Sequence, residues 1–359
     1  MNTAVSVVIL THNNKDLLRK SLSQTLRLEW PDIEVVVVDN ASSDGTPEMV
    51  EQEFGGILRL VRRTVDSITA GRNEGFRSAK GEFILSIDDD MIFDDVHAIR
   101  KAVALFRQFP DVGVLTFRIA DLEAPGEPQR LHWWHPIPIH TGKNRFFYTN
   151  FISEGAIFAR ASVISATGGY DEEFFGCFEG PDWAFRLIRD GINILYCPTI
   201  TCVELRVRRI RDQYSKSARN YWLLRNKLWM AWKNYPLGSA IWYSAPRIAL
   251  AGYLSCRHGW TKIFLRGLKD GVFAPHSIRA QRLPLNREKW ERFREIRRGQ
   301  FCTIESTLGV HANPRAAAEE DPGIETAGGG TVETGEFHGH TEPDDGDTGW
   351  FLTVQKKNR

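Results

Sequence analysis

The sequence predicts an α/β fold in which a mostly parallel, Rossmann-like sheet is flanked by helices and followed by a C-terminal helical extension. Short runs rich in β-branched residues alternate with segments whose apolar residues recur at helical spacing. Polar and acidic residues follow three of those runs, at the strand ends where parallel sheets bind their ligands. The chain has 359 residues, of which 42% are hydrophobic, so it can bury a sizeable core.

The first predicted elements are a strand over residues 5–10 and a helix over residues 17–26. A second strand over residues 34–38 leads into a run at 39–46 that is dense in turn-forming residues. Pro47 then fits the first position of a helix. The alternation continues with a strand at 58–61, a helix at 72–80 and a strand that begins at residue 83.

Three adjacent carboxylates, Asp88, Asp89 and Asp90, lie directly after this last strand. Their charges repel one another, and burying them without partners would cost several kcal/mol. A divalent cation held by alternate carboxylates would keep all three ionised. The triplet is therefore a candidate metal site, and the alternative is a solvated acidic turn.

Four motifs occur in order at the ends of the predicted strands and at the start of a helix. They are Ser6-Val7-Val8-Ile9-Leu10-Thr11-His12-Asn13, Asp39-Asn40-Ala41-Ser42-Ser43-Asp44-Gly45-Thr46, Gly71-Arg72-Asn73-Glu74-Gly75-Phe76 and Asp88-Asp89-Asp90. Each motif is weak alone, but together they resemble the motif series of family 2 inverting glycosyltransferases. The resemblance covers roughly the first two-thirds of the chain. It implies a GT-A fold, a nucleotide-diphosphate sugar donor, and Mn or Mg as the cofactor.

The resemblance also implies a role for individual residues of these motifs. The residues that would bind the donor are Thr11, Asn13, Asp39, Arg72, Asn73, Asp88 and Asp89. Thr11, Asn13 and Asp39 would hold the nucleoside, and Arg72 and Asn73 would lie near the base or the phosphates. Asp90 would be a direct metal ligand, with Asp88 near the ribose and the metal. Two alternatives stay open, in which Asp39 only caps its own turn and Arg72 only forms an ion pair on a helix face.

A second acidic segment, Glu179-Gly180-Pro181-Asp182, is similar to the acceptor-side segment of the family. Many members read Glu-Asp-x-Asp there, so Gly180 removes one carboxylate. If Pro181 opens a helix, Asp182 and Arg186 lie four residues apart on one face and can form a structural pair. We therefore predict Glu179 as the general base that deprotonates the acceptor, with Asp182 as the alternative.

The family often carries a metal-binding histidine further along the chain, and Glu204 fills that position here. Because a carboxylate also suits Mg or Mn, we predict Glu204 as an additional ligand of the metal.

An irregular, Pro-rich stretch contains Leu131-His132-Trp133-Trp134-His135-Pro136. Two imidazoles alone are too few ligands for a tetrahedral metal site. Trp133 and Trp134 offer flat apolar faces on which a sugar ring of the acceptor can stack. Aromatic packing under a long loop is the equal alternative.

The composition predicts three parts: a nucleotide-sugar-binding and catalytic domain at 1–205, a basic, Trp-rich helical extension at 206–302, and an acidic, disordered tail at 303–359. The net charge is only +1, yet Arg and Lys concentrate in the extension, among the tryptophans Trp222, Trp229, Trp232, Trp242 and Trp260. Basic and aromatic residues on amphipathic helices fit an anionic membrane surface better than nucleic acid. The alternative is core tryptophans beside solvated arginines.

The sequence also predicts where the protein works. No uninterrupted apolar run reaches the roughly 20 residues of a spanning helix, and the first residues begin a core strand without a signal peptide. The five cysteines lack metal-ligand spacing and indicate reduced thiols. We therefore expect a cytoplasmic protein, peripheral on the cytoplasmic face of the membrane.

The function implied by the resemblance is inverting transfer of a hexosyl or rhamnosyl group to a hydroxyl of a glycan or lipid-linked glycan, as in polysaccharide and cell-envelope biosynthesis. The motifs leave the donor sugar open. One alternative is a sugar-1-phosphate nucleotidyltransferase, which would want a Gly-rich basic loop where this chain has Thr11-His12-Asn13-Asn14. The other is a non-catalytic nucleotide-sugar-binding scaffold, indicated only by Gly180 and Glu204.

Overall fold

A computed structural model describes residues 3–122, 131–153, 155–205 and 216–302 of the chain. These residues belong to one compact unit. The acidic segment at 303–359, predicted to be a disordered tail, lies outside the described residues, and the predicted domain boundaries remain a prediction.

The strands, in chain order, are β1 (Val5–Thr11), β2 (Ile33–Asn40), β3 (Arg59–Arg63), β4 (Phe83–Asp88), β5 (Met91–Phe93), β6 (Val112–Asp121), β7 (Leu131–His132), β8 (Phe147–Tyr148), β9 (Ala156–Arg160), β10 (Asn193–Glu204) and β11 (Gln300–Phe301). The helices are α1 (Lys15–Thr25), α2 (Thr46–Phe54), α3 (Ile68–Ser78), α4 (Ala98–Gln108), α5 (Ile139–Gly142), α6 (Ala161–Thr167), α7 (Glu179–Arg189), α8 (Lys216–Asn234), α9 (Leu237–Arg257), α10 (Thr261–Val272), α11 (His276–Ala280) and α12 (Arg287–Gly299). A short 3₁₀ helix spans Glu172–Phe174.

The strands form one sheet in the order β11-β8-β10-β6-β9-β4-β1-β2-β3, with β5 paired to β10 and β7 paired to β6. The pairs β1–β2, β1–β4, β2–β3 and β6–β10 are parallel. Strand β9 is antiparallel to both β4 and β6, so β6 and β10 run in the same direction as the first four strands. The prediction of a mostly parallel sheet is confirmed.

Helices cover both faces of the sheet. On one face, α1, α2 and α4 bury Leu18, Met49 and Phe106 against the strands. On the other face, α3, α6 and α7 bury a second set of apolar side chains, which includes Phe76 and Trp183. Because each strand alternates its side chains between the two faces, the inner strands are apolar on both. Their polar residues are therefore concentrated at the strand ends.

Two glycines let α3 pack close to the sheet. A Cβ atom at Gly75 would lie 2.3 Å from Cγ1 of Val8, and one at Gly71 would lie 2.6 Å from Cδ1 of Leu10. A side chain at either position would push the helix away from β1 and β2. This close contact buries Arg72, which follows Gly71 on the helix.

The C-terminal helices form a third cluster of apolar side chains against α7. Phe185 from α7, Trp229 from α8, Ile278 from α11 and Phe293 from α12 all lie in it. The helical extension predicted from the sequence therefore packs on the helix that begins with Glu179.

Candidate active site

The carboxyl ends of β1, β2 and β4 meet at one edge of the sheet. In the strand register, Thr11 of β1 pairs with Asp39 of β2, and Leu10 of β1 pairs with Asp88 of β4. Residues from three of the four motifs therefore lie side by side, although Thr11 and Asp88 are 77 positions apart in the chain. The fourth motif, which contains Arg72, joins them through α3.

The middle carboxylate of the triplet, Asp89, is held from the first motif. Its Oδ2 accepts a hydrogen bond from Oγ1 of Thr11 at 2.7 Å, and its Oδ1 accepts one from Nδ2 of Asn14 at 2.7 Å. Burial, and then the charge of neighbouring Asp90, raise the pKa of Asp89 to about 7. Both oxygens of Asp89 thus fix the loop after β1 to the end of β4.

The flanking carboxylates have different surroundings. Nη2 of Arg72 donates to Oδ1 of Asp88 at 2.5 Å, and this pair joins a buried guanidinium to a half-buried carboxylate. Asp90 is buried, and its carbonyl oxygen accepts a hydrogen bond from the amide of Leu205 at 2.7 Å. The triplet is not a solvated turn in this fold, because Asp89 and Asp90 are both buried.

Asp39 contributes a carboxylate oxygen that lacks a partner. The side chain is only 2% exposed, and Oδ2 accepts a long hydrogen bond of 3.3 Å from the amide of Ser42. Among the residues that the structure describes, Oδ1 of Asp39 has no hydrogen-bond partner. A buried acceptor without a partner costs on the order of 1–3 kcal/mol, so this atom is a place where a ligand donor is favoured.

Asn13 shapes the loop beside Asp39. Its backbone has a φ of 50°, and its side-chain Oδ1 accepts a hydrogen bond from the amide of Ser43 at 2.7 Å. The amide of Asn13 in turn donates to Oγ of Ser42 at 2.9 Å. The loops that follow β1 and β2 are thereby tied together at the edge of the sheet.

Asn73 links this edge to the second acidic segment. Its Nδ2 donates to the carbonyl oxygen of Tyr170 at 2.8 Å, and its Oδ1 accepts from the amide of Tyr170 at 3.0 Å. Nδ2 also lies 3.1 Å from Oε1 of Glu172. The polar atoms of Asn73 are therefore engaged with the Gly-rich turn before α7, and its predicted role near the base or the phosphates remains a prediction.

Glu179 begins α7 after a backbone segment in unfavourable conformations. Phe175, Cys177 and Phe178 have φ values of 60°, 66° and 68°, in the left-handed region that side-chain-bearing residues rarely adopt. Glu179 itself is 4% exposed. Strained backbone of this kind is typical of functional sites, where the surrounding structure has to hold it.

Asn226 of α8 holds that segment. Its Nδ2 lies 2.8 Å from the carbonyl oxygen of Phe174, 2.7 Å from that of Gly176 and 2.8 Å from that of Cys177. Asn226 is fully buried. It therefore fixes the turn that precedes the predicted base.

Asp182 is fully buried within a network of donors. Its Oδ2 accepts from Nε of Arg186 at 3.1 Å and from Nζ of Lys233 at 3.0 Å, and its Oδ1 accepts from Nδ2 of Asn234 at 2.8 Å. Lys233 also donates to Oδ2 of Asp171 at 2.6 Å. The predicted pair with Arg186 is present, and Asp182 joins the end of α8 to the start of α7.

Glu204 lies at the end of β10. This strand pairs with β5, which directly follows the acidic triplet, but the side chain of Glu204 lies near Asp121 and His132. Its backbone pairs with Met91 of β5 and with Asp121 of β6. One ligand atom each from Asp121, His132 and Glu204 lies within 4.8 Å of the others. Its predicted role as a ligand of the same metal as Asp90 remains a prediction.

Trp133 and His135 pack, half-buried, against the buried rings of Phe147 and Tyr196. The indole N–H of Trp133 donates to the carbonyl oxygen of Ile137 at 2.7 Å, and its ring packs edge-on against His135 and Tyr196. Burial lowers the pKa of His135 to about 3, and its Nδ1 lies 2.9 Å from Oγ1 of Thr149. These contacts correspond to the aromatic-packing alternative.

Trp134 stacks on Phe151, with ring centroids 5.8 Å apart, and meets His132 edge-on. Acceptor binding by Trp133 and Trp134 remains a prediction.

The tryptophans of the C-terminal helices divide between the two interpretations made from the sequence. Trp229 is buried and donates to the carbonyl oxygen of Asp270 at 2.9 Å, whereas Trp242 is 83% exposed.

Within the described ranges, none of the helices is both long enough and apolar enough to cross a membrane. The five cysteines are all free thiols.

Sequence reasoning missed Asn226, Lys233 and Asn234. Each is a buried polar residue on a helix that also buries Trp229. Asn226 and Lys233 lie seven residues apart, so two turns of helix place them on the same face. Polar residues at that spacing among apolar ones were the available signal, because such residues are buried only when they have partners.

Comparisons with known proteins agree with this geometry. Residues 6–166 match the family model described as glycosyl transferase family 2. The poly-beta-1,6-N-acetyl-D-glucosamine synthase of Staphylococcus epidermidis is 28% identical over 114 residues, which are 31% of this chain and 27% of that protein. TarS of Staphylococcus aureus strain Mu50, a poly(ribitol-phosphate) beta-N-acetylglucosaminyltransferase, is 27% identical over 132 residues, which are 35% of this chain and 22% of that protein. The chain thus spans about a quarter of the length of these curated relatives.

Solved structures share the fold. The crystal structure of S. aureus TarS 1–349 in complex with UDP-GlcNAc has a TM-score of 0.55 at 17% identity and covers 77% of this chain and 83% of that one. GalNAc-T7 with UDP, GalNAc and Mn²⁺ has a TM-score of 0.54 at 13% identity and covers 79% of this chain and 58% of that one. At these identities the likeness concerns the fold, which is GT-A. Together with the motif series and the strand-end geometry, the family match shows that residues 6–166 form a glycosyl transferase family 2 domain.

Proposed function

We propose that the protein is an inverting glycosyltransferase that moves a sugar from a nucleotide-diphosphate sugar to a hydroxyl of a glycan or lipid-linked glycan. Membership of the family supports the reaction class. The finer statement rests on the arrangement of two separate sets of carboxylates: the set at the ends of β1, β2 and β4 is suited to a donor and a metal, and Glu179 is suited to a base.

The observation that supports donor binding most directly is the carboxylate of Asp39. Its Oδ1 is buried without a partner among the described residues. A nucleoside offers base N–H groups and ribose hydroxyls, each of which can donate to that oxygen. Binding would then satisfy an acceptor that the free protein leaves unsatisfied, which favours the complex.

The triplet fits a divalent cation through its outer members. Asp89 is already held by Thr11 and Asn14, so Asp90 and Asp88 are the carboxylates that would hold an ion. Hard oxygen ligands of this kind suit Mg or Mn. When bound, the ion would neutralise charge on the diphosphate leaving group. The guanidinium of Arg72, 2.5 Å from Asp88, adds a fixed positive charge at the same place.

Glu179 is the carboxylate that we assign as the general base. Asp182 is fully buried and accepts hydrogen bonds from Lys233, Arg186 and Asn234, so it is poorly available to an acceptor hydroxyl. Glu179 lies one turn earlier on the same helix, directly after the strained segment held by Asn226. In the proposed step, Glu179 takes the proton from the acceptor hydroxyl as its oxygen attacks the anomeric carbon from the side opposite the leaving nucleotide diphosphate.

The experiment that tests this function is release of nucleotide diphosphate from candidate donors in the presence of Mn²⁺. We expect turnover with the wild-type protein and loss of turnover in EDTA and in Asp90→Ala, with the fold kept. Asp16→Ala, which changes an exposed carboxylate on α1, is the matched control and should keep activity.

Wild-type turnover that persists in EDTA would contradict the metal assignment. Release of pyrophosphate would indicate a nucleotidyltransferase, and donor binding without any release would indicate a scaffold. UDP-GlcNAc is the first donor to test, because the TarS structure that shares the fold contains it. A thermal-shift series that includes UDP-glucose, UDP-galactofuranose and dTDP-rhamnose would identify the sugar, since the true donor stabilises the native state most.

We also propose that the C-terminal helices bind the surface of an anionic membrane. A groove between α8, α9 and α10 is lined mainly by apolar side chains, among them Leu237, Ile241 and Val272. Trp242, which follows Ile241 in the chain, is 83% exposed, and Phe273, which follows Val272, is 77% exposed. Exposed aromatic residues on a basic helical segment are typical of interfacial helices.

Sedimentation with vesicles tests this second proposal. The protein should pellet with anionic vesicles at low salt and be released as salt rises, and it should bind neutral vesicles less. The double variant Trp242→Ala with Phe273→Ala should pellet less, whereas Val65→Ala, an exposed apolar residue elsewhere, should behave as the wild type. Equal binding to neutral and anionic vesicles would contradict the electrostatic part.

A further inference from the structure

We propose that Asp121, His132 and Glu204 form a divalent metal site that is separate from the ion expected at Asp90. His132 and Glu204 would be the direct ligands, and Asp121 would orient the imidazole. The preferred ion is a transition metal such as Zn²⁺ or Mn²⁺, because imidazole nitrogen suits these ions better than it suits Ca²⁺.

The fold brings the three residues together from distant parts of the chain. Asp121 ends β6 and Glu204 ends β10, and the two are paired in the parallel register of these strands. His132 lies on β7, which is antiparallel to β6 and pairs it with Ile119. Ile119 and Asp121 are two residues apart, so the three polar side chains lie on one face of the sheet.

The imidazole of His132 lies between the two carboxylates. Its Nε2 is 2.6 Å from Oδ1 of Asp121, and its Nδ1 is 3.5 Å from Oε2 of Glu204. A metal-bound histidine characteristically donates its other ring N–H to a carboxylate, which fixes the tautomer. Asp121 is the carboxylate next to Nε2, so Nδ1 is the ring nitrogen that faces Glu204.

The gap between Nδ1 and Oε2 fits an ion that bridges them. Two ligands that are each about 2.1 Å from a tetrahedral ion lie roughly 3.4 Å from each other. The observed 3.5 Å is too long for a good hydrogen bond and close to this spacing.

The site is partly accessible, as an ion-binding site has to be. The side chains of His132, Asp121 and Glu204 are 19%, 29% and 22% exposed. Water can therefore complete the coordination shell. The partial burial also strengthens the attraction between the carboxylates and a cation relative to bulk water.

The grouping of ligand atoms supports a site distinct from the acidic triplet. Among the described residues, the group Asp121, His132 and Glu204 is the one set of three metal-ligating side chains with ligand atoms this close together. An ion there would tie β7 to the ends of β6 and β10.

Titration of the full-length protein with Co²⁺, Zn²⁺ and Mn²⁺ tests the proposal without reference to activity. We expect the wild type to show a Co²⁺ visible absorption band with a nitrogen ligand, and a rise in melting temperature with Zn²⁺. His132→Gln and Glu204→Gln should each abolish the band, and Asp121→Asn should weaken binding by about 10- to 100-fold. His140→Gln, an exposed histidine on α5, is the matched control and should leave the band unchanged.

A further variant distinguishes this metal site from the ion proposed to bind with the donor. Asp90→Asn should keep the Co²⁺ band even if it removes metal-dependent turnover, so failure of the proposed function leaves this test intact. The proposal is overturned if the wild type shows no band under conditions in which it stays folded. It is also overturned if folded His132→Gln and folded Glu204→Gln both bind Co²⁺ as the wild type does.

Discussion

The predicted donor edge and the predicted acceptor edge of this molecule are built in different ways. At the donor edge, Thr11, Asp39 and Asp88 lie at the carboxyl ends of three parallel strands, and the pairing of these strands brings them together. At the acceptor edge, Glu179 depends on Asn226, which comes from a helix more than 40 residues later in the chain. The donor edge follows from the sheet itself, whereas the acceptor edge requires the C-terminal helices to be docked.

This difference predicts which variants should affect one edge and not the other. Changes at the acceptor edge should reduce transfer while donor binding continues, because the donor residues lie on the inner strands of the sheet. Changes that move α3 should do the reverse, since that helix carries Arg72 to Asp88.

The largest effect should come from Glu179→Gln. The amide keeps the shape of the side chain but cannot accept a proton, so turnover should fall by about two to four orders of magnitude with little change in donor affinity. Steady-state turnover and calorimetric donor binding measure the two quantities. Glu173→Gln, an exposed glutamate on the preceding 3₁₀ helix, should have no effect.

Asp182→Asn should mainly reduce stability, in contrast to Glu179→Gln, which should mainly reduce turnover. It leaves the buried Lys233 with one carboxylate partner fewer, so the free energy of unfolding should fall by about 3 kcal/mol while a fraction of the turnover remains. Denaturant unfolding measures this loss. A stable, inactive Asp182→Asn together with an active Glu179→Gln would reassign the base to Asp182.

The next effect in size should come from Asn226→Leu. The substitution keeps the number and branching of the heavy side-chain atoms and removes the contacts to three carbonyl oxygens of the strained segment. That segment should relax from its left-handed conformations, and we expect a stability loss of about 1–3 kcal/mol. The turnover number should fall and the affinity for the donor should stay, since the donor edge is untouched. Asn220→Leu on the same helix is the control.

The sequence anticipated the donor edge better than the acceptor edge for a physical reason. Strands can be predicted from local apolar runs, and the predicted strand at 5–10 corresponds to the observed Val5–Thr11. The predicted helix at 72–80 is observed earlier, at Ile68–Ser78, because Ser67 caps it and accepts a hydrogen bond from the amide of Ala70.

The acceptor edge depends on contacts that no local pattern records. Asp182 and Lys233 are 51 residues apart, and their ion pair exists only because α8 packs on α7. The pair of Asp182 with Arg186 could be predicted, since it lies within one helix at a spacing of four. The role of the aromatic cluster was ambiguous from sequence, because a tryptophan that stacks on a sugar and a tryptophan that packs in a core can occur in the same local sequence pattern.

Gly75→Ala tests the donor edge through packing alone. The added Cβ would lie 2.3 Å from Cγ1 of Val8 and 3.2 Å from Cγ2 of Val38, so α3 has to shift. We expect a loss of about 1–3 kcal/mol in the free energy of unfolding and weaker donor binding, since Arg72 moves with the helix. Gly238→Ala, in a helix with open space around it, should be neutral or slightly stabilising. Unchanged donor affinity in Gly75→Ala would show that the position of α3 is not critical for the donor.

The smallest effect concerns His135, in the aromatic cluster that includes Trp133 and Tyr196. Burial lowers the pKa of its imidazole from 6.5 to about 3, so in the folded protein it stays neutral at mildly acidic pH. The unfolded chain takes up a proton as the pH falls below about 6.5, and the folded chain does not, so stability is lost as the pH falls. From about pH 7.5 to about pH 5.5 this group should remove roughly 1.4 kcal/mol.

Urea unfolding of the wild type, His135→Gln and His140→Gln at both pH values measures that contribution. His135→Gln should be less stable at neutral pH, because it disturbs the contacts with Trp133 and Tyr196. Its stability should nevertheless fall less on acidification than that of the wild type, whereas exposed His140→Gln should keep the wild-type dependence. Equal pH dependence in all three proteins would mean that the imidazole of His135 is reached by solvent and takes up a proton in the folded state, which would favour the cluster around Trp133 as a ligand-binding surface.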